Sequence, residues 1–167
     1  MDAAREFLLR GQHVAQLALS LYGGLLSFVA ITRLQKYEET SKKLAEWSKE
    51  AAKQLHKTQT TQASGAMAIL ASILASGTLA FFSNFLPKWL HIGLSPAMLL
   101  LVLFARGHIK NYWAPSDGKT VGLRIPLPKM GEYNEAQKQT ENLLKVLEWL
   151  EYSWVATAFT NGMLVSS

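Results

Sequence analysis

The side chains with which this chain could do chemistry are histidine and carboxylate, and there are few of them: four histidines and twelve acidic residues among 167, with no cysteine. The lack of cysteine removes thiolate catalysis, thiolate metal sites and disulfides. No HExxH, GxGxxG, GxSxG or phosphate-binding loop occurs. One constellation remains, made of His108, Glu148, Glu151 and Tyr112, with His56 and Tyr152 close by in the expected layout. These are the residue types of a proton-transfer site, in which His108 would act as general base or ligand and Glu148 or Glu151 would support it. The same residues serve equally well as solvated, structural groups at a membrane boundary. Their spacing matches no metal-ligand motif, so no metal site is assigned, and the sequence specifies no cofactor.

Those residues meet only if the elements carrying them reach a common level, which is a question of charge distribution. Charged residues make up 17% of the chain, against about 25% in soluble domains, while 49% are hydrophobic. Four stretches carry no charge at all: 11–32, 58–87, 89–105 and 152–167. A helix crossing a bilayer needs roughly 20 mainly apolar residues. The sequence therefore predicts an all-α fold and excludes a soluble enzyme. The chain reads as a single-domain, polytopic membrane four-helix bundle with spans at about 12–33, 64–86, 92–112 and 146–165. Fourteen of the 17 Lys and Arg fall between Arg33 and Lys57 or between Arg106 and Lys145. By the positive-inside rule this places the segments 34–60 and 113–145 in the cytoplasm and both termini on the other side. The net charge of +5 then suits anionic lipid headgroups, at roughly 1 kcal/mol per nearby basic residue. No nucleic-acid motif accompanies it. The first apolar run, 22 residues long, exceeds the roughly 7–15 of a signal peptide and is expected to be retained.

Within the spans, small and weakly polar residues mark the faces that pack. Gln16, Ser20, Gly23, Gly24 and Ser27 share one side of the first helix, and Ser64, Ala68, Ser72, Ser76 and Ala80 repeat every fourth residue in the second. The second span is thus expected to be the most buried. The third, uniformly apolar over 98–104, is expected to face lipid, Leu100 and Val102 included, and to open at Ser95-Pro96. Arg106 should snorkel to the surface, and the fourth span is the least hydrophobic. Between the first two spans, 37–56 reads as an amphipathic cytoplasmic helix with Leu44, Trp47, Ala51 and Leu55 on a stripe, which either extends the first span into the cytoplasm or lies along the membrane surface. Residues 114–128 are the turn-rich part, pinned by Pro126 and Pro128. His13 and His91 are expected at the non-cytoplasmic surface, His56 and His108 at the cytoplasmic one.

A Gly/Ser-rich first span, Trp47 before the second, Ser95-Pro96 in the third and a basic helix running into Trp149 at the fourth make up a layout. It resembles the small four-helix membrane proteins of the anthrone-oxygenase type found in polyketide pathways. Where those proteins usually carry Pro-Thr-Asn at the end of the third span, this chain has Ala105, Arg106, Gly107 and His108. The resemblance implies oxygenation of a planar, lipophilic aromatic substrate in a pocket opening at that point. The other reading is a non-catalytic accessory or scaffold protein whose basic segments meet a membrane or cytoplasmic protein partner. The expected location is an endomembrane such as the endoplasmic reticulum, with the mitochondrial inner membrane as the alternative. A transporter is disfavoured, since no span carries a central charge or proline and no repeat is visible.

Overall fold

The structure, a computed structural model, describes residues 2–46, 49–113 and 130–163. Among these residues it is all-helical. The helices are α1 (Asp2–Ala45), α2 (Lys49–Phe81), α3 (Lys88–Trp113) and α4 (Met130–Met163), with a short 3-10 turn at Ser83–Phe85. Three of them, over Glu6–Glu39, His56–Phe81 and Lys88–Trp113, are long and apolar enough to cross a membrane. Helix α4 is not among them. Each helix packs on two neighbours: α1 on α2 and α4, and α3 on α2 and α4, which leaves α1 diagonally across from α3.

The small-residue faces lie where close packing needs them. Gln16, Ser20, Gly23 and Ser27 are buried on α1, as are Ala68, Ser72, Ser76 and Ala80 on α2. At Gly23 an added Cβ would come within 2.7 Å of Ile69 Cδ1 and 3.0 Å of Val146 Cγ1, so the glycine is where α2 and α4 both approach the α1 backbone. Gly65 does the same for α3, with Ile109 Cδ1 at 2.9 Å. Where neighbouring helices or lipid remove the advantage of burial from water, this close approach is how helices gain dispersion contact. Of the three apolar helices, the spanning window of α2 is 44% buried, that of α1 33% and that of α3 28%.

Four expectations change. The stretch 37–56 is not one helix: α1 runs unbroken to Ala45 and α2 starts at Lys49, so it is divided between them. The side chains of its supposed stripe, Leu44, Trp47, Ala51 and Leu55, lie outside the described residues, as does the segment 114–128. Helix α3 does not open at Ser95-Pro96. It starts at Lys88, with the Pro87 carbonyl accepting from the N–H groups of Leu90 (3.0 Å) and His91 (3.4 Å), and Pro96 sits inside the helix. A proline there removes one ladder hydrogen bond. Such a loss is tolerated in apolar helices packed against neighbours. The second helix ends at Phe81, short of the expected 86.

The last correction is Val102. Leu100 is exposed, but Val102 is fully buried, in a stripe with Met98, Ala105, Ile109 and Trp113. That is a helical face turned towards α2 and α4, hidden in the sequence because its other faces are apolar too. It follows that Ser72→Leu and Val102→Phe should each lower stability by about 1–3 kcal/mol through overpacking, while Leu100→Phe changes it by less than about 0.5 kcal/mol. Thermal unfolding of the three purified variants in detergent measures this; equal melting temperatures would refute the packing assignment.

Candidate functional site

The residues of the expected constellation stand on α3 and α4, and the structure uses them in different ways. Arg106, a helical turn before Lys110 on α3, reaches across to α4 with both terminal nitrogens. Its Nη2 lies 3.0 Å from Glu148 Oε1, and Nη1 donates to Glu151 Oε2 at 2.8 Å. Glu148 and Glu151 are three residues apart, so they share one face of the helix, and a planar guanidinium can serve both at once. The Glu151 side chain is 17% exposed and that of Glu148 40%, so the inner pair is the less screened of the two. Tyr152 also donates to Glu148 Oε1, at 3.3 Å, and meets Trp149 edge to face, with ring centroids 6.3 Å apart. Arg106, Glu148 and Glu151 thus form a three-residue ion cluster joining α3 to α4.

His108 is exposed and stacks flat on Phe104, one turn back on its own helix, with ring centroids 6.1 Å apart. His108 borders neither the cleft lined by His13 and His91 nor the one lined by Leu34, Gln35 and Gln62. His56 is likewise exposed. Tyr112 is half-buried, its hydroxyl 2.8 Å from Thr58 Oγ1. It belongs to a polar layer where α2, α3 and α4 meet. There Trp113 Nε1 donates to Thr61 Oγ1 (2.9 Å), and Gln62 Nε2 donates to Thr140 Oγ1 (2.8 Å). Among the described residues no group of three His, Asp or Glu is placed to hold a metal ion.

A second polar layer lies at the other end, and the sequence reading missed its centre. His13 stands at the same end as His91, as expected, and is buried there, with Nδ1 2.8 Å from Gln16 Oε1 and its ring tilted against Trp154 at 6.3 Å. Gln16 Nε2 continues to Thr157 Oγ1 on α4, at 3.4 Å. Nearby, His91 Nε2 meets the Ser83 carbonyl (2.8 Å), and Asn161 Nδ2 donates to the His91 carbonyl (3.2 Å). The signal for His13 was present: it stands three residues before Gln16, on the same face as Ser20, Gly23 and Ser27.

Comparison with known protein families, curated proteins and solved structures finds no match for this chain. Its chemistry has to be read from the arrangement itself. Because His108 is exposed and its ring stacks on a neighbour in its own helix, His108→Ala should leave stability within about 0.5 kcal/mol of the native protein. Tyr112→Phe, which removes the bond to Thr58, should lower it by about 0.5–1.5 kcal/mol. Denaturant titration in detergent checks the order, and a larger loss at His108 than at Tyr112 would reverse the roles assigned to the two residues.

Proposed function

We propose that the chain is a small integral membrane protein of an endomembrane that acts as a non-catalytic accessory or scaffold protein. In this reading all four helices cross the bilayer as a bundle. The observation that carries it is the use to which the chemical residues are put: Arg106 engages both Glu148 and Glu151, and the exposed His108 ring stacks on Phe104 of its own helix, apart from that cluster. A proton-transfer site needs its base within reach of a bound substrate, and here both carboxylates are occupied by Arg106.

Helix lengths say what the scaffold offers. At about 1.5 Å per residue, the 44 residues of α1 and the 33 of α2 run well beyond a hydrocarbon core of roughly 30 Å. The surplus lies on the side of the basic segments, where Lys36, Lys42, Lys53 and Lys57 are exposed. A projecting helical hairpin with exposed lysines suits an acidic face of a membrane or cytoplasmic protein partner.

Two measurements test this reading. In closed vesicles, a Ser41→Cys variant should react with an impermeant thiol reagent from the cytoplasmic side only; labelling solely from the other side would invert the topology. In a deletion strain, His108→Ala should restore function as fully as the native chain, whereas Lys42→Glu with Lys53→Glu, inserted at normal levels, should restore less than half of it. The opposite outcome, with His108→Ala inactive and the metabolite profile altered, would return the chain to the oxygenase reading.

A further inference from the structure

The cleft at the end of the molecule opposite the basic segments has a volume of about 220 Å³ and is lined by Glu6, Arg10, His13, Leu79, His91 and Asn161, among others. We propose that this cleft binds the hydroxyl head of a lipophilic alcohol or phenol, with His13 Nε2 as the hydrogen-bond acceptor.

The hydrogen-bond chain behind His13 determines what the ring can offer. The Thr157 hydroxyl donates to the backbone carbonyl of Ser153 (3.2 Å) or Trp154 (3.1 Å), so towards Gln16 it can only accept. Gln16 therefore turns its Nε2 to Thr157 and its Oε1 to His13, and the proton of the neutral imidazole lies on Nδ1, which donates to that oxygen at 2.8 Å. Nε2 is left as a bare acceptor. The side chain of His13 is almost entirely buried, yet its ring lines the cleft, and among the described residues Nε2 has no hydrogen-bond partner. A buried ring held in one tautomer by a relay three residues deep, with its free nitrogen at a cleft, is organised to receive a donor.

The rest of the cleft selects the class of donor. Arg10 is paired with Glu6 at 2.9 Å, His91 Nε2 is held by the Ser83 carbonyl, and Asn161 Nδ2 by the His91 carbonyl. The one cationic side chain of the lining is thus paired with a carboxylate, which disfavours a carboxylate or phosphate, and His13 Nε2 offers an acceptor for a hydroxyl donor. The cleft is too small for a whole lipid: at roughly 30 Å³ per water it holds about seven. A hydroxyl head with its first carbons fits beside Leu9 and Leu79, and the remaining chain has an apolar surface to lie on, since Phe7, Phe82 and Phe85 are exposed at this end. The lipophilic part of the proposal rests on the membrane reading; the acceptor at His13 does not.

The test uses the full-length protein in nanodiscs with ring-¹⁵N-labelled histidine, the His13 signals being assigned by their loss in His13→Gln. Before any addition, the native protein should show His13 as the Nδ1–H tautomer, and Gln16→Leu should release it to a mixture. Titration with 1-dodecanol should shift the His13 Nε2 resonance saturably, while dodecyl methyl ether, which has no donor, should leave it in place. An Nε2–H tautomer in the native protein would overturn the proposal whatever the topology proves to be. So would an equal response to the ether, which means apolar filling alone, a response to dodecanoate only, which means an anion site, or no response, which means that water suffices.

Discussion

A helix whose charge-free part is too short to cross a bilayer cannot hold its place there by hydrophobicity, and α4 is such a helix. The charge-free stretch at this end of the sequence is only 16 residues long, 152–167, and the part of it that α4 carries, 152–163, is about 18 Å of helix against a hydrocarbon core of roughly 30 Å. Any crossing by α4 brings Glu151 and Glu148 to the edge of the apolar zone. An acidic residue at the centre of a membrane helix costs about 2.5–3.5 kcal/mol on insertion scales, less near the boundary. Arg106 meets both carboxylates from α3, whose own charge-free core ends at Ala105. Trp149 and Tyr152, both exposed at this level, are the aromatic residues that favour a membrane–water interface. In the proposed membrane, the fourth span thus depends on the third for its neutrality.

Hydrogen bonds fix the register that this ion cluster requires. At one end Gln62 joins α2 to Thr140 on α4 and Trp113 joins α3 to Thr61 on α2; at the other, Gln16 joins α1 to Thr157 on α4. Such bonds between membrane helices contribute only about 0.6 kcal/mol each on average, up to about 1–2. Their value here is directional, since a slip of α4 by one residue would break its bonds to Gln62 and Gln16, that from Asn161 to the His91 carbonyl, and the Arg106 contacts together. Between the two polar layers the packing is by small residues and aliphatic side chains, with Gly23 and Gly65 letting the helices approach closely.

The legible part of the fold was the part encoded by contrast. Ser, Gly and Gln standing among Leu and Val told which faces of α1 and α2 pack, because a small or polar residue in an apolar helix has a reason to be turned inward. Helix α3 offered no such contrast, so Val102 could not be told from Leu100, and Pro96, not Pro87, seemed to open it. The level of the charges was legible as well, in that Arg106, Glu148 and Glu151 fall at one boundary. Their pairing was not, because it depends on the rotation of α4 about its axis, which the sequence leaves free. For His13 the topology gave the right end of the bundle, beside His91, but not its burial, although its spacing to Gln16 put it on the packed face.

The dependence of α4 on Arg106 is the central physical claim, and it can be measured directly because the chain has no native cysteine. Phe159→Cys places a thiol on the exposed face of α4, beyond its acidic residues. In intact vesicles it should resist an impermeant maleimide. Arg106→Gln, added to it, should raise labelling several-fold by leaving two uncompensated carboxylates, and further conversion of Glu148 and Glu151 to Gln should restore protection. If Arg106→Gln leaves Phe159→Cys as protected as before, α4 holds its place without the cluster and the account is wrong.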